Sequence, residues 1–593
     1  MTFLPLLAAA VLAATPAYHV DLGRYFPSPV VEQSERASLL TEVADFAATP
    51  PTLLNSPAAL RAWLQRRDRL LVRLHRHDVF VYLRAERDLD DHADQVADDA
   101  LSDAMDRLDR AAERTLSSLG KPRLEDWLGR DEGLATYRFF IETSLASGAG
   151  KADTPAAATM SAALETLANG YKSLANAAPT TPAGSKPEPE QVFKARWAPY
   201  AANEQAFAAL LLPIVQLEDG RARERGAVGA PEAAFTRQGL TPTQVADVLT
   251  AVGHSTANQH FQAVLATAAR KRSISNAALG PWALDVADPE TPAPVTLPDA
   301  LAIILAAERP MGSEYTDHYA RLFDPAQHHL EWCQAPTCDR TGFSVGYAGV
   351  ESGLFYGAYR GDVGSIRAVA HEAGHAVHRQ FMNEHQPIAA YNTGPNLLFE
   401  SFAIFNELLL LDHLYRTAPS PTLKAYYLHQ LLGDMTFQIF GSAQETELEQ
   451  SIYAGVRAGR LHSAEDLGAL TLQVLSRYNS PEAVAPEMRL SWARNRLYFT
   501  DPLYDTNYLF AGLLAVEYLK RFEADPADFS GRYVALLGNG FDDAPAALVK
   551  RFLGVDLLDA QGLVADASAV ITLRTSTLEA LYACGSRTTC PAP

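Results

Sequence analysis

The residues of this chain best suited to chemistry are His371, Glu372 and His375, in the run His371-Glu372-Ala373-Gly374-His375. On a helix, residues four apart share a face, so both imidazoles can reach one metal ion. Glu372 stands between them, where a base for a metal-activated water is needed. Glu400, 25 residues beyond His375, can supply a third ligand. Two histidines and one carboxylate leave a coordination position of zinc open, which is the catalytic rather than the structural arrangement. His378 extends the stripe to i, i+4 and i+7, and three imidazoles on one stripe are poor material for an apolar core. The competing reading of such a stripe is a polar helix whose histidines bond to their neighbours.

The elements that must position these groups are legible from periodicity. Residues 364–370 form a mild lead-in, uncharged apart from Arg367, and predict that the motif lies on a helix. Residues 396–411 read as a second helix, with Leu398, Phe402, Phe405, Leu408 and Leu409 at helical spacing. Glu400 and Glu407 interrupt that apolar face, and burying an unpartnered carboxylate is costly; a metal removes the difficulty for Glu400. Before the motif, residues 341–360 are rich in glycine and aromatics with partial strand-like alternation. In a peptidase, the stretch Leu354, Phe355, Tyr356, Gly357, Ala358 and Tyr359 could pair with an extended peptide through main-chain hydrogen bonds; a plain hairpin under the motif helix fits equally well. Residues 498–508 read as a polar loop bearing Tyr498, Tyr504 and Tyr508, followed by an apolar helix at 509–519. Tyr504 and Tyr508 look like hydroxyl donors, with aromatic packing as the alternative, more so for Tyr498.

With 593 residues the chain exceeds one minimal core and implies two or more lobes. Fifty basic against 70 acidic residues give a formal charge of −20, which excludes an electrostatic footprint for nucleic acid. Residues 3–14 form a short apolar run followed by Thr15-Pro16-Ala17, like a signal-peptide core with a small-residue cleavage site. No Lys or Arg precedes Arg24, and an apolar N-terminal helix is the other reading. No other apolar run is long enough to predict stable membrane insertion. Cys333 and Cys338 are five apart and Cys584 and Cys590 six apart, so each pair could close a local loop in an oxidising compartment. Reduced thiols, or a second metal site at Cys333 and Cys338 with His328 or His329, are the alternatives. The expected location is therefore periplasmic or secreted, with cytoplasmic as the alternative.

Helical periodicity runs through 58–74, 89–116, 134–145 and 159–167. Four prolines in 178–190 predict a surface loop or hinge. Helix resumes over 192–216, where Pro199 and Pro213 should end or kink it, and again at 241–253, 259–270 and 297–307. The expected partition is a signal peptide at 1–17, a helical region at 18–190, a catalytic domain at 191–560 and a tail at 561–593.

The ordered set HEAGHAVHRQ (371–380), ESFAIFNE (400–407), the Gly-aromatic run before them, YDTNY (504–508) and the segment 533–557 resembles the M3 family of zinc peptidases. The nearer branch is the oligoendopeptidase F-like one, related to thimet oligopeptidase. The similarity covers about 193–557. It implies a mainly α, two-lobed gluzincin-type fold with a deep inter-lobe cleft and a small β-sheet beside the site. It also implies one Zn2+ per chain, held by His371, His375 and Glu400, with Glu372 as base. Glu407 would orient a zinc histidine, with His378 also near the ligands, and Tyr504 and Tyr508 would face the scissile carbonyl. The implied activity is endopeptidase cleavage of short unfolded oligopeptides. A zinc carboxypeptidase or other amide hydrolase, and a catalytically weakened peptide-binding homologue, are the alternatives; the oligomeric state is left open. The family histidine ahead of the first tyrosine is replaced here, its positions being Tyr498 and Phe499, and a further family tyrosine is Ala511. Thr500-Asp501-Pro502-Leu503 replaces a glycine-rich turn.

Overall fold

The computed structural model describes residues 18–146, 155–176, 189–271, 280–284, 288 and 290–584. The fold is mainly α, with one small sheet. Long amphipathic helices begin at side-chain caps: Ser56 caps Pro57–Arg87 and Ser463 caps Ala464–Tyr478, each accepting from a first-turn N–H. Two apolar cores result. One gathers the helices Pro29–Ala47, Pro57–Arg87 and His92–Leu119 around Leu64, Leu74, Leu101 and Leu108. The other is built on the helices Val363–His385, Asn396–Thr417 and Asp505–Ala524.

The sheet lies between the cores. Its order is β1 (Leu330–Trp332), β3 (Val350–Tyr356), β2 (Gly342–Tyr347), with β1 parallel and β2 antiparallel to β3. Because side chains alternate along a strand, Leu354 and Tyr356 enter the core of the motif helix while Phe355 enters the other. Residues 18–21 run along β1, with Trp332 N–H donating to Tyr18 and Asp21 N–H to His328.

Several boundaries differ from the sequence expectation. Pro199 and Pro213 both lie inside helices, Pro189–Ala202 and Glu204–Glu224, and the break falls at Asn203. Burial of Phe207, Leu211, Ile214 and Val215 holds the second helix together across its proline. The stretch 134–145 divides into Glu132–Ala135 and Arg138–Ala146. The helix Pro155–Asn176 sends Leu164 and Tyr171 into the second core, so the packing boundary lies well before 190. Most of the expected hinge at 178–190 is outside the described residues, as is the expected signal peptide at 1–17. The expected tail at 561–593 is instead a packed helix, Ala560–Cys584, which buries Leu563, Val564, Ile571 and Leu578. Leu563, Ala567, Ile571, Thr575 and Leu578 follow one another at three- and four-residue steps, a helical stripe that the sequence expectation passed over.

Cys333 and Cys338 are joined, with Cα atoms 6.2 Å apart. Their sulfurs are thus bonded to each other, and a thiolate metal site there is ruled out. Cys584 is also disulfide-bonded, and Cys590 lies outside the described residues. No helix among the described residues is long and apolar enough to cross a membrane.

If the last helix is part of the core, Ile571→Ala and Leu578→Ala should each destabilise by about 2–5 kcal/mol, the usual result of emptying a sealed apolar site. Urea unfolding checks this; unchanged midpoints would return the segment to a dispensable tail.

Candidate metal centre

The motif helix Val363–His385 starts where the Asp362 carboxylate accepts the Ser365 N–H at 2.7 Å. It then enters the core, with Ala370, Ala373, Ala376 and Val377 sealed from solvent. Gly374 faces the ligand helix Asn396–Thr417. A Cβ at Gly374 would stand 2.7 Å from Asn406 Nδ2 and 3.1 Å from the Ala403 Cα. Only glycine permits this approach, which brings Glu400 level with the two histidines.

His371, His375 and Glu400 present one ligand atom each, all within 4.8 Å of one another. Glu400 Oε2 lies 3.4 Å from His371 Nε2 and 3.6 Å from His375 Nε2. Tetrahedral zinc with bonds of about 2.0–2.1 Å separates its ligand atoms by about 3.4 Å, so the spacing fits that ion. Glu400 Oε2 is buried and accepts no hydrogen bond, whereas Oε1 accepts from the Tyr504 hydroxyl at 2.6 Å. Burial opposes ionisation of Glu400, yet the adjoining imidazoles hold its carboxyl well below the ordinary range. Burial pushes His375 down to about 4. An ionised carboxylate and a neutral imidazole are the forms a cation binds. The His375 ring is fixed by stacking on Phe399, with centroids 4.3 Å apart.

The surrounding shell is charged. Glu407 Oε1 meets His371 Nδ1 at 2.6 Å, fixing the tautomer that turns Nε2 toward Glu400. Arg367 holds Glu407 at 3.2 Å and contacts Asp434 more closely still. Burial pushes the Glu372 carboxyl up to about 7; His371 opposes this while Glu400 and Glu407 add to it. Arg379, over Phe399 at 4.5 Å, carries its charge nearby.

His378 is not gathered into the cluster. Its buried ring sits among Phe399, Phe402 and Phe541, with Nδ1 unpartnered, because position i+7 lies two turns, about 10.5 Å, further along the helix. Residues 498–508 are not one loop. Leu497–Thr500 is a helical turn, Leu503 is left-handed at φ 68°, and Tyr504 caps the helix Asp505–Ala524. Tyr508 lies in its first turns, half-buried, 5.3 Å from the Tyr504 ring, and its hydroxyl makes no hydrogen bond among the described residues. Tyr498 is a core residue whose hydroxyl donates to the Glu445 carbonyl. Phe499 stacks on Tyr171, so neither residue at the family histidine's positions faces the site, and Ala511 is buried.

The peptide-pairing strand also needs correction. Leu354–Tyr356 is bonded on both sides, to Leu330–Trp332 and to Gly342–Ser344, so it has no edge to offer. Among the described residues, the sheet edge left without main-chain pairing is that of β2. Gly342 of that strand is close enough to the site that an added Cβ would stand 3.3 Å from Glu372 Cγ. Gly357, Ala358 and Tyr359 leave the sheet and, with Trp332, Gln334, Arg340 and Arg360, line a cavity of 610 Å³. Sequence reasoning missed Arg367 and Asp434. Arg367 carried a signal, being four residues before His371 on the same face, but Asp434 carried none.

Residues 362–565 match the profile of peptidase family M3. This stretch is an M3-family peptidase domain. Oligopeptidase PepF of Bacillus subtilis is 24% identical over 379 residues, covering 62% of this chain and 54% of that protein. A plasmid-encoded oligoendopeptidase F of Lactococcus lactis subsp. cremoris is 29% identical over 127 residues, 21% of each chain. The chain thus spans about half the length of the first of these relatives and less of the second. The crystal structure of oligoendopeptidase-F from Enterococcus faecium superposes with a TM-score of 0.63 at 18% identity, over 92% of this chain and 97% of that one, which shows the shared fold.

The M3 ligand set predicts that His371→Ala, His375→Ala and Glu400→Ala each lose stoichiometric zinc. Glu372→Gln should retain it. Glu407→Gln should weaken zinc roughly 10- to 100-fold, the usual consequence of losing a partner of a ligating histidine. Metal analysis and chelator competition on the purified variants decide the matter, and full zinc in Glu400→Ala would remove the third ligand.

Proposed function

We propose that the protein is a zinc-dependent endopeptidase acting on short, unfolded oligopeptides. The observation that carries this reading is the ligand cluster His371–His375–Glu400 with the Glu372 carboxyl beside it. Bound by those three residues, zinc would supply a Lewis acid that polarises a carbonyl and acidifies water. The chain's own groups do the rest. Glu372, held near neutrality by burial, takes a proton from the attacking water on a carboxylate oxygen and passes it to the departing amine. Tyr508, with an uncommitted hydroxyl, donates to the oxygen on which negative charge develops. Tyr504 is committed to Glu400, so its part is to orient a ligand. The open edge of β2 beside Gly342 suits an extended peptide, and the cavity walled by Trp332 and Tyr359 takes a neighbouring side chain.

Arg340 lines that cavity without a carboxylate partner among the described residues, an observation that also suits a free peptide C-terminus and hence the carboxypeptidase alternative. Blocked and unblocked versions of one peptide separate the two, because a carboxypeptidase needs the free carboxylate. Cleavage that survives C-terminal amidation supports the endopeptidase.

Export belongs to the same reading, supported by the Cys333–Cys338 disulfide. Protein from its native compartment should show four alkylatable thiols only after reduction and should lack Met1. Four free thiols before reduction would overturn the proposal.

The tyrosine assignment gives a kinetic prediction. Tyr508→Phe should lower kcat roughly 100-fold or more with little change in KM, the effect of one lost oxyanion donor. Tyr504→Phe should act first on zinc retention. Steady-state kinetics on one quenched fluorescent peptide at saturating zinc checks this, and near-normal kcat in Tyr508→Phe would make that residue a packing group.

A further inference from the structure

Among the described residues, only His328 and Leu503 adopt positive φ without being glycine. A branched side chain holds a left-handed backbone only where its surroundings fix it. Leu503 is buried, and its N–H donates to Glu449 Oε1 at 2.8 Å. Glu449 comes from a different helix, Ser442–Arg457, and is 2% exposed. The residue after the turn is Tyr504, which caps the helix Asp505–Ala524 and sends its hydroxyl 2.6 Å from Glu400 Oε1. The helix start is tied once more, by Asn495 Nδ2 donating to Asp505 Oδ2 at 2.7 Å.

We infer that Glu449 is a positioning residue for the metal centre: by accepting the Leu503 N–H it holds the left-handed turn from which Tyr504 reaches and orients Glu400. Glu449 makes no hydrogen bond to His371, His375 or Glu400 and acts through the Leu503–Tyr504 backbone and one hydroxyl. Burial and the nearby Asp505 raise its carboxyl well above the ordinary range, so it serves as a neutral acceptor that glutamine can replace. The inference deepens the metallopeptidase reading, yet its first consequence is for zinc affinity, which is measured without substrate.

The test is zinc affinity by chelator competition on the full-length protein and four variants. Tyr504→Phe and Glu449→Ala should each weaken zinc roughly 10- to 100-fold. The double variant should bind within about threefold of Tyr504→Phe alone, because coupled residues are not additive, while Glu449→Gln should stay within about threefold of the unsubstituted protein. Losses that multiply in the double variant overturn the proposal, as does unchanged zinc affinity in Glu449→Ala or in Tyr504→Phe. Should Glu449→Ala fail to fold, Glu449→Asp, which withdraws the acceptor by one methylene, carries the same test with the same overturning result. If all zinc affinities follow this pattern but no peptide is cleaved, the peptidase reading falls and the positioning role stands.

Discussion

Contact between two helices at Gly374 sets the geometry on which the remaining structure depends. The imidazoles project from one helix and the Glu400 carboxylate from another, and their 3.4 and 3.6 Å separations hold only while the helices nearly touch. Asn406 seals the contact from the far side. Its Oδ1 accepts from both the Tyr315 and Tyr319 hydroxyls, at 2.8 and 2.7 Å, and its Nδ2 donates to the Phe402 carbonyl at 2.7 Å. A residue between Glu400 and Glu407 in sequence thereby pins the ligand helix to the helix Ser313–Phe323. A sliding or rotation of the ligand helix would break the two tyrosine bonds in a buried place where no water replaces them, at a cost of about 1–3 kcal/mol for each orphaned group. That penalty turns a close contact into a fixed register.

Once the helices are fixed, the ligands still need orientation, and the structure supplies it from three directions. Glu407 acts on His371 from within the ligand helix, Phe399 on the His375 ring by stacking, and Tyr504 on Glu400 from the helix Asp505–Ala524. The last is the least local, since Tyr504 sits at a helix start that depends on a strained turn. Tyr498 and Phe499, just ahead of that turn, fit this arrangement. Both positions are filled by rings packed in the core, with the Tyr498 hydroxyl donating to the Glu445 carbonyl.

Sequence legibility follows the range of the interaction. The ligands could be read because i and i+4 on a helix share a face by covalent geometry, and Glu400 and Glu407 because carboxylates on an apolar face demand an explanation. His378 keeps nearly the same face but stands two turns, about 10.5 Å, along the helix, where only tertiary packing decides what it meets, here an aromatic pocket. Tyr504 and Tyr508 were found as a pair, but their division of labour rests on which hydroxyl finds Glu400, a contact across 104 residues. The sheet edge was misassigned because alternation identifies a strand and says nothing about its neighbours. Leu354–Tyr356 has the composition of a doubly buried strand, and pairing on both sides follows from that burial. Asp434 left no trace because its partner, Arg367, is 67 residues away.

Charge in the buried site argues for the valence of the ion. Glu372, Glu400, Glu407 and Asp434 face two guanidiniums, Arg367 and Arg379. Ionised together, with both imidazoles neutral, they leave two negative charges in a region that solvates charge poorly, and such an excess is costly unless compensated. Without a cation, and against the opposing effect of burial, Glu400 and Glu407 hold the His371 imidazole well above its ordinary range, which offsets one of the two. Both carboxyls outside the direct contacts of the histidines, Glu372 and Asp434, are accordingly pushed up to about 7, in each case by burial first. A dication held by His371, His375 and Glu400, once it displaced the proton of His371, would offset that excess and favour the ionised form of both, the form in which Glu372 could accept a proton.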